Sequence, residues 1–134
     1  MSKRHYFPAL LLAATASVLT ACSSIDARTT EYVGAPHAAP TQASSVEVLR
    51  TEPTKAHERL GEIVVSASTE PAPSATEIEQ KLRTEAAAIG GDAVVVVYDQ
   101  IQPVAAYVSG PLWNRDIEAI DGRKLKGIVI RYTH

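Results

Sequence analysis

The segment from Ser74 to Val97 constrains the fold of this chain more than any other stretch. Ser74 and Glu77 have the spacing of a capping box, in which the serine hydroxyl accepts from the Glu77 amide and the glutamate carboxylate reaches back. A Gly-Gly pair at residues 90–91 can supply the left-handed conformation that ends a helix. The spacing therefore predicts a helix between these signals, with one apolar face formed by Ile78, Leu82, Ala86 and Ile89.

Strand patterns lie on both sides of this helix. Residues 94–97 are four consecutive valines, which indicate a strand at the centre of a sheet or covered on both faces. Residues 46–50 and 60–69 favour two earlier strands, and a last strand is predicted where Ile128, Ile130 and Tyr132 alternate. The elements predict an α+β fold: a ββαββ-like two-layer sandwich with one main helix packed on a sheet of four or five strands.

Two turns are expected after the valine strand. Tyr107–Trp113 is predicted to be a loop because it contains Gly110-Pro111, and Asp121-Gly122 has the composition of a hairpin turn. The predicted strand at residues 60–69, the helix and the valine strand follow each other in the order of a crossover, which is expected to be right-handed.

The first 21 residues have the pattern of a secretory leader. Lys3 and Arg4 precede an apolar or small-residue run, Phe7–Leu19, and no acidic residue occurs before Asp26. A run of about 13 residues suits a signal peptide and is short for a membrane-spanning helix, which needs roughly 20.

Residues 19–22 read LTAC and resemble the lipobox of bacterial lipoproteins. The resemblance implies that Cys22 receives diacylglycerol on its thiol, that the leader is cut before it, and that the new amino terminus receives an acyl chain such as palmitate. Ser23 and Ser24 occupy positions where aspartate favours inner-membrane retention in enterobacterial lipoproteins. The resemblance thus implies an outer-membrane protein facing the periplasm. The alternative is a free cysteine that follows an ordinary cleavage site.

The mature chain divides into two parts in this interpretation. Residues 22–45 are rich in Ser, Thr, Ala and Pro without a sustained period, so they predict a flexible tether after the lipidated cysteine. Residues 46–134 then form the small α+β domain. The chain carries 13 basic and 15 acidic residues, and this balance argues against nucleic-acid binding.

The folded part resembles small bacterial envelope domains of the RcsF and YbjQ-like kind. The resemblance is carried by EAAAIGGDAVVVV, which follows a strand with LGEI and precedes LKGIVIRY. It implies the fold and the envelope location, and YbjQ-like domains assemble into rings, which leaves a homo-oligomer open. RcsF domains contain disulfides, whereas Cys22 is the single cysteine of this chain, so the stress-sensing role of RcsF does not transfer with the fold.

No residue pattern indicates a catalytic site, a metal site or a cofactor. Asp92 is expected to cap a turn rather than act as an acid. His57 lies in a polar PTKAHER segment without further ligands and is expected in a solvated loop. The serines lack a G-x-S-x-G elbow.

The segment AAYVSGPLWNRD contains the residue types that are enriched at binding hot spots. Tyr107, Leu112, Trp113 and Arg115 are therefore predicted to contact a partner. The alternative is that Trp113 folds back and closes the open side of the sheet.

These observations predict a non-enzymatic, lipid-anchored protein that acts in envelope maintenance or stress sensing through contacts with an envelope protein. Its membrane contact is expected through the acyl chains at Cys22. The alternative is a small-ligand-binding domain or an enzyme that uses a pocket between the helix and residues 103–116.

Overall fold

The computed structural model describes residues 22–134, and the predicted leader lies outside the described residues. The described part contains, in chain order, β1 (Ile25–Glu31), a 3-10 turn (Ala43–Ser45), β2 (Glu47–Leu49), β3 (His57–Ser68), α1 (Ala75–Ala88), β4 (Ala93–Ser109) and β5 (Asp116–Tyr132).

The strands form one sheet in the order β1-β3-β5-β4-β2. Neighbouring strands are antiparallel except β2 and β4, which are parallel. The chain is thus a mixed α/β fold with one helix packed on a five-stranded sheet, as the coarse α+β prediction required. The ββαββ-like layout is matched only loosely, because an additional strand precedes it and because β4 and β5 run far beyond the sheet.

The core lies between α1 and one face of the sheet. The predicted apolar face of the helix is buried at Ile78, Leu82 and Ala86, while Ile89 is partly buried at its end. Burial of a side chain such as Leu82 contributes about 1.5–3 kcal/mol. The strand residues of this core are fully or nearly fully covered: Leu60, Ile63, Val65, Ala67, Val94, Val96, Leu125 and Val129.

Both ends of α1 follow the sequence signals. The Glu77 amide donates to the Ser74 hydroxyl at 3.2 Å, and the Ser74 amide donates to the Glu77 carboxylate at 2.7 Å, which confirms the capping box. These bonds lower the pKa of Glu77. Gly90 has φ +83°, the left-handed conformation expected at the helix end.

The prediction of a flexible tether over residues 22–45 is wrong where the chain forms β1 and where it binds the end of the helix. Ile25–Glu31 is β1 and pairs with β3 from Ile25↔Ala67 to Glu31↔Gly61. Ile25 and Ala27 pack against the core, so alternate residues of β1 cover the edge of the same apolar layer. Thr41 then binds the end of the helix through its amide to Ala87 and its hydroxyl to Gly91. A short polar strand of this kind has too few apolar residues to be distinguished from a linker by pattern alone.

The predicted hairpin turn at Asp121-Gly122 is also wrong. Both residues lie inside β5, where Gly122 is opposite Gln102 of β4. A Cβ on Gly122 would lie 2.9 Å from a methyl group of Val104, so the glycine serves close packing rather than a turn. The turn between β4 and β5 lies at residues 110–115, with Gly110 at φ +89° and the Asn114 amide donating to the Pro111 carbonyl at 3.0 Å.

Candidate functional site

Cys22 is exposed and lies immediately before the sheet. The Ser24 amide donates to the Ser68 hydroxyl at 2.9 Å, and the Ser68 amide donates to the Ser24 carbonyl at 3.0 Å. β1 begins at the next residue. Only Ser23 therefore separates the predicted lipid attachment residue from backbone that is hydrogen-bonded to β3.

β4 and β5 continue beyond the sheet as a two-stranded hairpin, the hairpin arm (residues 103–121). β3 pairs with β5 only as far as Ser68↔Gly122, so the paired residues of the arm bond to each other. At about 3.4 Å per residue, residues 103–109 extend the hairpin by roughly 24 Å.

The four predicted partner-contact residues lie in the outer half of this arm. Tyr107 is in β4, whereas Leu112, Trp113 and Arg115 are in the turn. Trp113 is 87% exposed and Leu112 is 79% exposed. Trp113 therefore does not fold back to close the sheet, and the alternative that assigned it to the core is wrong. Whether these residues contact a partner stays a prediction.

The two faces of the arm differ in chemistry. The pairs Ala106↔Ala119 and Val108↔Ile117 place four apolar side chains on one face, the apolar face of the arm. Ile117 is 72% exposed on this face. The opposite face carries the pairs Ala105↔Ile120, Tyr107↔Glu118 and Ser109↔Asp116, so the acidic groups Asp116 and Glu118 lie away from the apolar face.

An ion cluster ties the arm to the sheet near its base. The Arg123 guanidinium donates two bonds of 2.8 Å to the Asp99 carboxylate, and Arg50 donates a third at 3.0 Å. Arg123 first and Arg50 second lower the pKa of Asp99, while its burial acts in the opposite direction. Because Asp99 is in β4, Arg123 in β5 and Arg50 just beyond β2, the cluster fixes three strands together where the arm begins.

A crevice of about 870 Å³ lies at the base of the arm. Tyr107, Glu118 and Ile120 contribute arm side chains, and Ser66 and Lys124 contribute the sheet side. The crevice is lined by both charged and apolar groups. Its lining includes Glu118 of the acidic face and Ala119 of the apolar face, so the crevice borders both faces of the arm at its base.

A second, smaller groove of about 280 Å³ lies over β4 and β5 between Val97 and Ile130, with Arg50 and Arg59 at its border. A cavity of about 50 Å³ is lined by residues near the end of α1, including His37 and Ile89. None of these three cavities lies between the helix and residues 103–116, where the alternative function placed its pocket.

The polar residues considered for chemistry have structural contacts. Asp92 accepts from the Tyr132 amide at 2.9 Å, so it joins the start of β4 to the end of β5 rather than capping a turn. His57 was predicted in a solvated loop but begins β3, with its ring nitrogens 2.6 Å from the Lys55 carbonyl and 3.0 Å from Glu52. Within residues 22–134, no group of three His, Cys, Asp or Glu side chains is arranged to hold a metal ion. No helix in the same range is long and apolar enough to cross a membrane.

Most of the arm lies where the sequence pattern predicts a loop over residues 107–113. Four of its apolar residues, each at least 46% exposed, are not marked by any motif: Val104, Val108, Ile117 and Ile120. The available signal is VAAYV at residues 104–108 together with Ile117 and Ile120, β-branched and aromatic residues that favour strands on both sides of Gly110-Pro111. The Asp-Gly pair directly after Ile120 predicts a turn instead.

No protein-family model matches the chain, and no curated protein matches it. Among solved structures, the chain is similar to FvfA, a Francisella virulence factor. The two are 12% identical, the match covers 79% of this chain and 97% of FvfA, and the TM-score is 0.47.

Proposed function

We propose that this chain is a lipid-anchored protein of the bacterial envelope, attached to a membrane through the thiol of Cys22. The observation that carries the proposal is the context of that residue: it ends the LTAC sequence, it is exposed, and it lies one residue before the sheet. Each buried CH₂ of an attached chain contributes about 0.8 kcal/mol, and two acyl signals already give stable anchoring. Three chains would hold the domain on a bilayer.

The proposed location is the outer membrane, with the folded domain facing the periplasm. Ser23 and Ser24 support this sorting because neither is the aspartate associated with inner-membrane retention. Lys3 and Arg4 belong to the leader, so cleavage before Cys22 would leave 11 basic and 15 acidic residues. An acidic mature protein gains little from anionic head groups, which leaves the acyl chains as the main source of membrane affinity.

The proposed mode of action is non-enzymatic and works through protein contacts in envelope maintenance or stress sensing. The groove over β4 and β5, where Val97 is 58% exposed, supports this mode because exposed apolar patches mark contact sites. The finer likeness to RcsF and YbjQ-like domains rests on the residues EAAAIGGDAVVVV, and a homo-oligomer remains part of the proposal through that likeness. The groove between Val97 and Ile130 offers a protein partner apolar side chains bordered by Arg50, Glu52 and Arg59.

Replacement of the thiol tests the anchor. The Cys22→Ser variant cannot form a thioether, so we expect it to leave the membrane fraction and to fail in complementing a deletion strain under envelope stress. The matched control, Ser23→Ala, keeps the cysteine and is expected to remain membrane-bound. Mass spectrometry of the native protein is expected to find an amino-terminal peptide that begins at a triacylated Cys22. An unmodified thiol, or full complementation by the soluble variant, would contradict the proposal.

Binding of a small ligand is the second candidate function, and the crevice at the arm base favours it. The crevice combines about 870 Å³ of volume with the charged groups Asp26, Arg123 and Lys124. Native mass spectrometry of the purified protein would reveal a bound molecule as added mass. Loss of that mass in a Lys124→Glu variant, which reverses a charge at the crevice, would support this function.

A further inference from the structure

We propose that the hairpin arm rests on the bilayer surface that holds the anchor, with the Trp113 turn and the apolar face of the arm in the lipid interface. This inference rests on the proposed lipidation of Cys22. It assigns the exposed apolar residues of the arm to lipid and leaves the groove on the sheet to a protein partner.

The first step is the short connection between the lipid and the fold. Ser24 is held by two hydrogen bonds to Ser68, so the sheet starts there rather than after a long tether. Cα atoms of consecutive residues are 3.8 Å apart, so the Cys22 Cα lies within about 8 Å of the Ser24 Cα. A lipidated Cys22 therefore places this end of the sheet at the membrane.

The second step is the direction of the arm. β1 runs from Ile25 away from the Ser24 end, and the antiparallel β3 returns to that end at Ser68. Ser68 is opposite Gly122, and the arm begins one residue beyond this pair. Cys22 and the arm therefore leave the sheet at the same end. Because only Ser23 separates Cys22 from the hydrogen-bonded Ser24, a protein anchored at Cys22 brings this end of the sheet, and the arm with it, to the bilayer.

The third step is the chemistry that the arm presents there. Its tip carries Leu112 and Trp113, which are 79% and 87% exposed, and Arg115 as the charged group of the turn. Tryptophan favours the membrane interface because its ring is apolar and its N–H can still bind water or a head group. An arginine beside it can reach phosphate groups with its apolar stem in contact with acyl chains.

The fourth step is the separation of charge on the arm. The apolar face pairs Val108 with Ile117 and Ala106 with Ala119, and none of these side chains carries charge. The acidic residues Asp116 and Glu118 lie on the opposite face of the arm. The face formed by Ala106, Val108, Ile117 and Ala119 is thus the face of the arm that lipid can accept.

The depth of contact follows from hydrogen bonding. The arm has two strands, so each strand has one edge whose amides and carbonyls are not paired within the hairpin. Unpaired backbone groups cannot enter the hydrocarbon centre, where no water is available to satisfy them. The tip is therefore expected at the level of the head groups and the first methylenes, and not at the midplane.

The single tryptophan of the chain provides the test. The native lipidated protein is reconstituted into vesicles of phosphatidylethanolamine and phosphatidylglycerol, and Trp113 emission is measured. We expect a blue shift relative to the detergent-free Cys22→Ser protein, protection from acrylamide, and quenching by brominated acyl chains. Bromines close to the head group are expected to quench more strongly than bromines near the methyl end.

A matched control moves the probe to the other end of the sheet. Val33 is fully exposed beyond the end of β1 that is opposite Ser24. In the Trp113→Phe, Val33→Trp double variant, emission is expected to remain that of tryptophan in water and to be quenched by acrylamide alone. Quenching of both probes by brominated lipid would mean that contact with lipid is not confined to the arm end of the sheet, which overturns the proposal.

Failure of the arm proposal and failure of the anchor proposal give different results. An unmodified Cys22 in the mass spectrum of the same sample removes the anchor, and the orientation falls with it. A triacylated Cys22 with Trp113 accessible to acrylamide removes the arm proposal alone. Protection from acrylamide without quenching by brominated lipid would mean that protein covers the arm, either a second copy or a partner, and it also overturns the membrane assignment.

Discussion

At the level of single residues, His57 couples the stability of the fold to pH. Its ring nitrogens lie 2.6 Å from the Lys55 carbonyl and 3.0 Å from the Glu52 carboxylate, and both acceptors favour an imidazolium that donates twice. The Lys55 carbonyl first and Glu52 second raise the pKa of His57, while burial of the ring and then Arg59 oppose this effect. The same cluster lowers the pKa of Glu52, chiefly through a bond from Arg59.

The expected consequence is a stability that declines as the pH rises. A group whose pKa is higher in the folded state than in the unfolded state stabilises the fold fully at a pH below its unfolded pKa, which is 6.5 for His57. That stabilisation is lost as the pH rises through the folded pKa. Urea unfolding of the mature protein between about pH 6 and about pH 9 should show this fall. The His57→Gln variant keeps a hydrogen-bonding side chain without the charge, and we expect its profile to be flatter. Equal slopes for the two proteins would contradict the assignment.

At the level of elements, the hairpin arm depends on the ion cluster at its base. Asp99 is 20% exposed and receives two bonds from Arg123 and one from Arg50. An Asp99→Asn substitution removes the charge that both guanidinium groups share and preserves the side-chain shape. Hydrogen bonds to charged groups contribute about 1.5–3 kcal/mol, and partial exposure reduces this, so we expect a loss of about 1–2 kcal/mol in the free energy of unfolding.

Two measurements check the prediction for Asp99. Chemical denaturation gives the loss of stability, and hydrogen exchange is expected to show faster exchange in residues 103–109 because the base of the arm is loosened. Asp116→Asn is the matched control, since that carboxylate is exposed in the arm, and its effect should stay within about 0.5 kcal/mol. The folded pKa of Asp99 is lower than its ordinary value of 3.8. The stabilisation from Asp99 is therefore present above pH 3.8 and is lost as the pH falls through the folded pKa.

The elements also show which parts of the fold can be predicted from sequence. Helix α1 could be predicted to within a residue because its signals are local: the Ser74 cap, the apolar spacing and Gly90 all act within a few residues of each other. β1 could not, because IDARTTE gains its structure from the free edge of β3, and that edge is a tertiary feature. The packing role of Gly122 could not be predicted for the same reason, because it depends on Val104 across the hairpin.

At the level of the whole molecule, the candidate site has two parts: the lipobox-like motif that ends at Cys22, and the position of Cys22 and Trp113 at the same end of the sheet. Cys22 could be singled out because a lipobox-like motif is contiguous in sequence. The spatial relation between Cys22 and Trp113 could not be predicted from the sequence. It depends on β1, β3 and β5 meeting at one end of the sheet through Ser24, Ser68 and Gly122. Exposure of the tip likewise depends on how far β4 and β5 extend. Turn propensities alone end these strands too early, because they predict a turn at Asp121-Gly122.

The short connection between Cys22 and Ser24 makes a prediction about the intact protein on a bilayer. Insertion of about 20 Gly and Ser residues after Ser23 would add a coil with a root-mean-square length of roughly 25 Å, similar to the length of the arm. The lipid anchor would be unchanged, but the domain would no longer be held at the surface. We expect the inserted protein to stay in the membrane fraction while Trp113 loses part of its quenching by brominated lipid. Unchanged quenching would show that the affinity of the arm for lipid, rather than the short connection, keeps it at the membrane. An insertion of the same length after Val33, at the other end of β1, is the control and should leave the quenching of Trp113 as it is in the native protein.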